Sequence, residues 1–397
     1  MTTPIFDPLS VSRRDVLTFA SAGALSLCLP ACVGNPAIGP SHEVQVFVGT
    51  TTYQKSEGIY GYRLNTVTGE LTPTQVTTYR ASPNFLAIHP NARYVYAVDE
   101  VFTDSGRKKS NGVVAFAMDP GTRALTQINR QELPGGPYHV SMHPSGQWVL
   151  AACYGAGSVA LLSVMPDGSL GPVRDVVTHT GSGPHPTRQT APHPHSVKPD
   201  KAGRFALVPD LGTDQVVVYR IDTQQGKLVP NGFAASAPGA GPRHVAFSPQ
   251  GHHVYVINEL HNTVTVFDYD PGLGHLRQVQ TLSTLPASYT EPNTAADIHV
   301  HPSGKFVYGS NRGHDSIVIF AVDPRTGQLT LQGFESVQGK MPRNFGIDPS
   351  GQWMLVANQR SNNVTVFQID ARTGGLRFTG QQLAISQPVC VTFAQVG

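Results

Sequence analysis

The feature that most constrains this chain is a turn signal that returns about every fifty residues. His89-Pro90-Asn91-Ala92, His143-Pro144-Ser145-Gly146, Ser248-Pro249-Gln250-Gly251, His301-Pro302-Ser303-Gly304 and Asp348-Pro349-Ser350-Gly351 each interrupt β-rich sequence. A looser version runs Lys198-Pro199-Asp200-Lys201-Ala202-Gly203. Successive first positions lie 54, 55, 50, 53 and 47 residues apart. After each tetrad comes an alternating aromatic and β-branched strand, such as Tyr94-Val95-Tyr96-Ala97-Val98 or His253-Val254-Tyr255-Val256-Ile257. A polar loop follows, then a second strand such as Val264-Thr265-Val266-Phe267. A tight turn such as Asp323-Pro324-Arg325-Thr326-Gly327 leads into a further strand. A four-stranded unit with this period is the signature of a β-propeller blade.

The count gives seven blades. Six open with a tetrad and the seventh is split. Val44-Gln45-Val46-Phe47-Val48 enters directly at a second strand, and its missing first strand is Pro388-Val389-Cys390-Val391-Thr392-Phe393 at the other end of the chain. Pairing of these two segments would close the ring and leave no long open sheet edge. The expected fold is therefore all-β: a seven-bladed β-propeller over residues 43–397, with four antiparallel strands per blade. The 40 Gly and 32 Pro among 397 residues suit such a turn-rich chain. A net charge of +2 without a Lys/Arg block excludes a nucleic-acid binder. Cys153 and Cys390 fall in blades three and one, which are not neighbours, so no disulfide is expected between them.

The first residues read as an address. Ser12-Arg13-Arg14-Asp15 precedes a mostly apolar run that ends at Leu29, too short for a comfortable membrane span. This is a twin-arginine layout, and Leu29-Pro30-Ala31-Cys32 has the form of a lipidation site at Cys32. Residues 1–32 are expected to be an export signal, and 33–42 a linker. The mature protein would be periplasmic, either soluble or lipid-anchored.

In a propeller the tetrads and the Asp-Pro-x-Thr-Gly turns decorate one face, so His89, His143 and His301 are read as turn residues. The other face carries the unusual chemistry. Four positions before the tetrads stand His139, His244, Asp297 and Asn344, with His195 the nearest counterpart in the looser repeat. Polar groups at one level of the innermost strands make a ring around the channel, serving either water or a ligand. Arg243, Arg343, Glu259, Arg312 and His314 lie in loops on the same face. Arginine recognises carboxylate or phosphate, whereas His and Glu move protons near neutral pH. His139, His244, Asp297, His314, Arg343 and Asn344 are accordingly candidate substrate-binding residues. Glu259, Asp210, Asp297 and His299 could ligate a metal, but their spacing matches no ligand motif, and neither metal nor cofactor is expected.

Several stretches resemble the seven-bladed propeller lactonase family, which contains a bacterial 6-phosphogluconolactonase and the fungal carboxy-muconate cyclase. They include Pro192-His193-Pro194-His195-Ser196, Gly241-Pro242-Arg243-His244, Asn258-Glu259-Leu260 and Asn311-Arg312-Gly313-His314-Asp315-Ser316. The resemblance implies a catalytic set of His195, Arg243, Glu259 and Arg312. On that reading Glu259 or His195 activates water against a lactone carbonyl, and the two arginines hold an anionic group and the oxyanion. No G-x-S-x-G nucleophile elbow is present. The same residues could instead run lactone formation, as in the cyclase, and a non-catalytic binding propeller is a third reading. The expected partner is a small anionic lactone, met by a monomer that touches a membrane only through export or a lipid anchor. If the twin-arginine reading holds, the double variant R13K/R14K leaves precursor in the cytoplasm on fractionation. Unchanged export would reject it.

Overall fold

The computed structural model describes residues 42–52, 55–102 and 108–395. The export segment, Cys32 and nearly all of the linker lie outside the described residues. Seven four-stranded antiparallel sheets follow one another along the chain. Six are built from consecutive strands. The remaining sheet takes its innermost strand, Pro388–Gln395, from the C-terminus and pairs it with Glu43–Thr50, in the order expected from the split repeat.

Burial explains why the strands have these sequences. Second strands such as Trp148–Cys153 and Trp353–Asn358 are buried along their whole length, because a neighbouring blade covers each face. Both therefore read as nearly continuous apolar runs. Outermost strands such as Leu71–Thr78 and Leu376–Ala384 alternate, since one face meets solvent. Apolar clusters join residues of adjacent blades. Tyr96, Val98 and Val113 of blade two, for example, pack with Val149, Ala151 and Leu162 of blade three.

Polar clasps accompany this packing. The tetrad histidines reach from one blade to the next: His89 Nε2 to the Gly146 carbonyl (3.0 Å), His143 to Gly203 (2.7 Å) and His301 to Gly351 (2.8 Å). In His143 and His301, Nδ1 accepts a backbone N–H two residues on, so Nε2 carries the proton and donates. Gly203 has a φ of +69°, and a Cβ there would lie 2.3 Å from the His143 ring. A second set of clasps joins tyrosines to the outer turns. The Tyr96, Tyr255 and Tyr308 hydroxyls donate to the carbonyls of Gly168, Gly327 and Gly374 at 2.9–3.0 Å. On the rim, Gln75, Asn129, Asp175, Gln280 and Gln381 each accept a backbone N–H of the neighbouring blade. Cys153 and Cys390 are buried in separate blades, with no disulfide joining them.

One register differs from the sequence reading. In blade four the turn opens at Asp200, not at Lys198. Asp200 accepts the N–H groups of Arg204 and Phe205, just as Asp348 accepts those of Gln352 and Trp353. Two extra residues before the turn hid this equivalence.

Ring closure gives the first test. Val391 turns its N–H to Asn344, so the next residue, Thr392, turns to the ladder opposite Phe47. Thr392→Pro removes that donor and leaves a buried carbonyl unmatched, at a cost of about 1–3 kcal/mol. The urea midpoint is expected to fall accordingly. An unchanged midpoint would contradict closure by the chain ends.

Candidate active site

With blade four in register, the channel is lined in tiers. Five residues before each turn come Asn84, Tyr138, His195, Arg243, Ala296 and Arg343. One residue later come Phe85, His139, Ser196, His244, Asp297 and Asn344. His195 therefore belongs with the two arginines, and Ser196 is the true counterpart of His244. A rim lies above, eleven residues after each turn opens: Glu100, Tyr154, Leu211, Glu259, Arg312 and Gln359.

The lower tier is largely consumed in joining blades. Val197 N–H approaches His139 Nδ1 at 3.4 Å, and the Ser196 hydroxyl donates to the Arg243 carbonyl at 3.0 Å. His244 Nδ1 lies 2.7 Å from Asp297 Oδ1. Asp297 Oδ2 takes the Asn344 amide at 2.5 Å and His299 Nε2 at 2.9 Å, and Asn344 Oδ1 accepts the Val391 N–H. Burial would raise the Asp297 carboxyl, but His299 and the hydrogen bonds from His244 and His299 outweigh it and hold it well below the usual range. Burial, with Arg243 beside it, pulls the His244 imidazole down to about 4. His139 is pushed well down by burial and by His244. His139 and His244 are therefore neutral at physiological pH, with Asp297 as the fixed charge beside them. This part of the channel opens into a cavity of about 380 Å³ lined by His139, Asp297, His299 and Lys198.

The upper tier and the rim enclose a separate cavity of about 150 Å³. It is lined by Asn84, Glu100, Tyr138, His195, Arg243 and Arg343, with His244 at its floor and Thr51, Phe85, Gln359 and Val389 completing the wall. His195 has no hydrogen-bond partner at its buried Nδ1. Its ring meets Tyr154 edge-on at 5.2 Å and His244 at 5.3 Å. Burial, then Arg243, His244 and Arg343, push the imidazole well below its ordinary value, so it is neutral. Arg243 is almost fully buried. Its Nε donates to Glu259 Oε2 at 2.9 Å and Nη1 to the Ala296 carbonyl at 2.6 Å, which leaves Nη2. Burial and Arg312 act against this charge and Glu259 supports it. A guanidinium remains protonated in proteins. Arg343 makes no ion pair among the described residues and stands in the cavity wall.

Glu259 and Arg312 stand behind this wall. Glu259 Oε2 also meets Arg312 Nη2 at 2.9 Å, and its Oε1 accepts from Arg188 Nη2 at 2.5 Å. Burial would raise the Glu259 carboxyl, but Arg312, Arg243 and Arg188 together hold it well below the usual range. With both oxygens engaged, Glu259 is the shared counter-ion of three guanidiniums, those of Arg188, Arg243 and Arg312. Arg312 faces a neighbouring groove with Lys340 and Arg360. His314 lies in the same region, bonded to Ser316 and packed on Tyr289, away from the cavity. Among the described residues no three His, Cys, Asp or Glu side chains gather as a metal site would require.

Sequence reasoning missed Arg188, Tyr138 and Glu100. Arg188 stands in the long loop between Thr178 and Lys198, outside the repeat. That loop is pinned by Asp210, which bonds His179 and the His193 N–H, and by the buried Gln189, which donates to Asp214 and to the Leu211 carbonyl. Tyr138 and Glu100 did have a signal. Each occupies the repeat position of a residue that was singled out: Tyr138 that of Arg243, and Glu100 that of Glu259.

The mouth of this seven-bladed propeller thus brings His195, the buried Arg243 and the half-buried Arg343 into one small cavity. The chain belongs to the family of lactonases with a 7-bladed beta-propeller, whose model matches residues 45–393. It is 36% identical over 303 residues to a 6-phosphogluconolactonase of Bacillus subtilis, covering 76% of this chain and 84% of that protein. A 6-phosphogluconolactonase of Formosa agariphila is 35% identical over 311 residues, covering 76% and 86%. Among solved structures, a periplasmic gluconolactonase of Pseudomonas aeruginosa superposes with a TM-score of 0.84 at 35% identity, over 89% of this chain and all of that one.

The buried histidines make stability depend on acid. His244 binds a proton at about pH 6.5 when unfolded and only near 4 when folded. Its contribution is whole above pH 6.5 and is lost as pH falls toward 4, on the order of 2 kcal/mol by pH 5. Glu259 and Asp297 add losses only below their unfolded values near 4. The denaturation midpoint is expected to decline from pH 7.5 to 5, and less steeply in His244→Gln. Parallel slopes would contradict a neutral, buried His244.

Proposed function

We propose that this protein hydrolyses a small lactone at the channel mouth, without a metal or cofactor. The observation that carries the reading is a neutral His195 with an unpartnered ring nitrogen, buried in one cavity with Arg243 and Arg343. Family membership and relatives named 6-phosphogluconolactonase and gluconolactonase support it.

In this mechanism His195 takes a proton from water as the water oxygen bonds to the lactone carbonyl carbon. The carbonyl oxygen gains the charge, and the Nη2 hydrogens of Arg243 stabilise it. The ring C–O bond then breaks, and the His195 proton passes to the departing alkoxide. Arg343 holds an anionic substituent or the nascent carboxylate. Glu259, braced by Arg188 and Arg312, fixes the Arg243 fork. Its engaged oxygens favour His195 over Glu259 as the base. Burial lowers His195 most, and an anion bound at Arg343 would offset that residue's share of the remaining repulsion. The twin-arginine layout read at Ser12-Arg13-Arg14 and a relative named as periplasmic support a periplasmic site of action.

The test is hydrolysis of a panel of sugar lactones and carboxylated lactones, with and without chelator. Chelator is expected to change nothing. His195→Ala should lower turnover by roughly 10²–10⁴-fold. Arg343→Ala should act mainly on KM, weakening an anionic lactone by about 2–5 kcal/mol. Full turnover in His195→Ala would remove the assigned base, and no hydrolysis of any lactone would remove the proposal.

A further inference from the structure

Two residues of the lower tier, Phe85 and His244, border both cavities, and of the two only the His244 side chain is polar. Its Nδ1 lies 2.7 Å from Asp297 Oδ1, across the joint between blades five and six. Asp297 acts here as an acceptor, and its other oxygen takes the Asn344 amide and the His299 ring. The proton of His244 therefore sits on Nδ1, and Nε2 keeps its lone pair. Nε2 has no hydrogen-bond partner among the described residues and, unlike Nδ1 of His195, is not closed to solvent. His139 stands at the same place in blade three and is set the other way. Its Nδ1 meets the Val197 N–H at 3.4 Å, which puts its proton on Nε2, and it lines the lower cavity but not the upper one.

We propose that His244, held by Asp297, is a further catalytic residue that accepts one hydrogen of the attacking water while His195 takes the other. The inference rests on the reading of the upper cavity as a lactone site with His195 as its base. The two rings stand 5.3 Å apart, at 64° to each other. One water molecule, with hydrogen bonds of about 2.9 Å on either side, can bridge such a gap. With both hydrogens directed at imidazoles, the oxygen lone pairs are left for the carbonyl carbon. Only the hydrogen at His195 is transferred. The other stays on the oxygen as it bonds to carbon and leaves with the new carboxyl group, so His244 gains no proton. Asp297 acts through His244 as a positioning residue. A buried carboxylate on Nδ1 fixes the tautomer and the ring orientation; without it Nε2 is free to carry the hydrogen and turn the water away. Three side-chain donors hold Asp297 itself in place.

The decisive variant is His244→Asn. The introduced amide can still donate to Asp297, so the joint between blades is kept while the Nε2 acceptor is removed. Hydrolysis of whichever lactone of the panel wild type opens fastest is followed in wild type, His244→Asn and Asp297→Asn. Circular dichroism and the thermal midpoint check folding. His244→Asn should lower kcat roughly tenfold or more and leave KM within about threefold. Asp297→Asn should act in the same direction, because an amide that donates to Nδ1 selects the other tautomer. Rates of wild type in mixtures of H2O and D2O give a readout that needs no variant. A bowed dependence on the deuterium fraction is expected, since two hydrogens of one water are held, and it should straighten in His244→Asn. If His244→Asn folds and keeps the wild-type kcat and the bowed dependence, the role of His244 is overturned while the base His195 stands. If that variant does not fold, the wild-type dependence decides, and a straight line overturns the proposal. If wild type opens no lactone, the lactone reading itself has failed, and this role falls with it.

Discussion

No blade of this protein can cover its own surfaces. The second strand of each sheet bears apolar side chains on both faces, so each sheet must lie between two others, and the row must bend until its ends meet. Sharing one sheet between the two chain ends satisfies this without leaving an edge. The histidine, tyrosine and outer-rim clasps then hold neighbouring sheets in register, because each joins a side chain of one blade to the backbone of the next. A carbonyl or N–H at a fixed place in a turn offers one partner in one direction.

Closing the ring brings equivalent positions from all the blades to a common axis, and there the repeat becomes chemistry. Side chains that are far apart in sequence meet at one level. The lower level mainly binds blade to blade, with Asp297 as the shared acceptor for His244, His299 and Asn344. Because that level is largely satisfied internally, the level above can carry groups that are not. His195 and the guanidinium of Arg343 line a small cavity, with Arg243 held by Glu259. Burying like charges this close is unfavourable unless a counter-ion is provided. Glu259 supplies it for three arginines drawn from two blades and one long loop.

Much of this was legible in the chain. The tetrads, their spacing and the split blade stated the architecture, since a turn signal depends on local backbone preference and needs no tertiary partner. The polar level was legible too, because position within the repeat sets position along the axis. Blade four was misread by two residues because Lys198-Pro199 imitates a tetrad start, and only the hydrogen bonds of Asp200 mark the true turn. Glu100 lies outside the stretches that carry the family resemblance, although it shares the repeat position of Glu259. Arg188 had no periodic position, and nothing local says that a residue of the long loop turns inward to Glu259.

The sequence by itself determined the number of blades, the way the ring closes and that polar residues of the innermost strands line the channel, because all three follow from periodicity and turn chemistry. The tertiary structure alone decided what each of those residues does there. Whether a carboxylate is a base or a counter-ion depends on which guanidiniums lie within 3 Å of it, and whether a histidine is neutral depends on its burial and its charged neighbours. Glu259 and Glu100 share a repeat position and a side chain. They differ only in what the closed ring places around them.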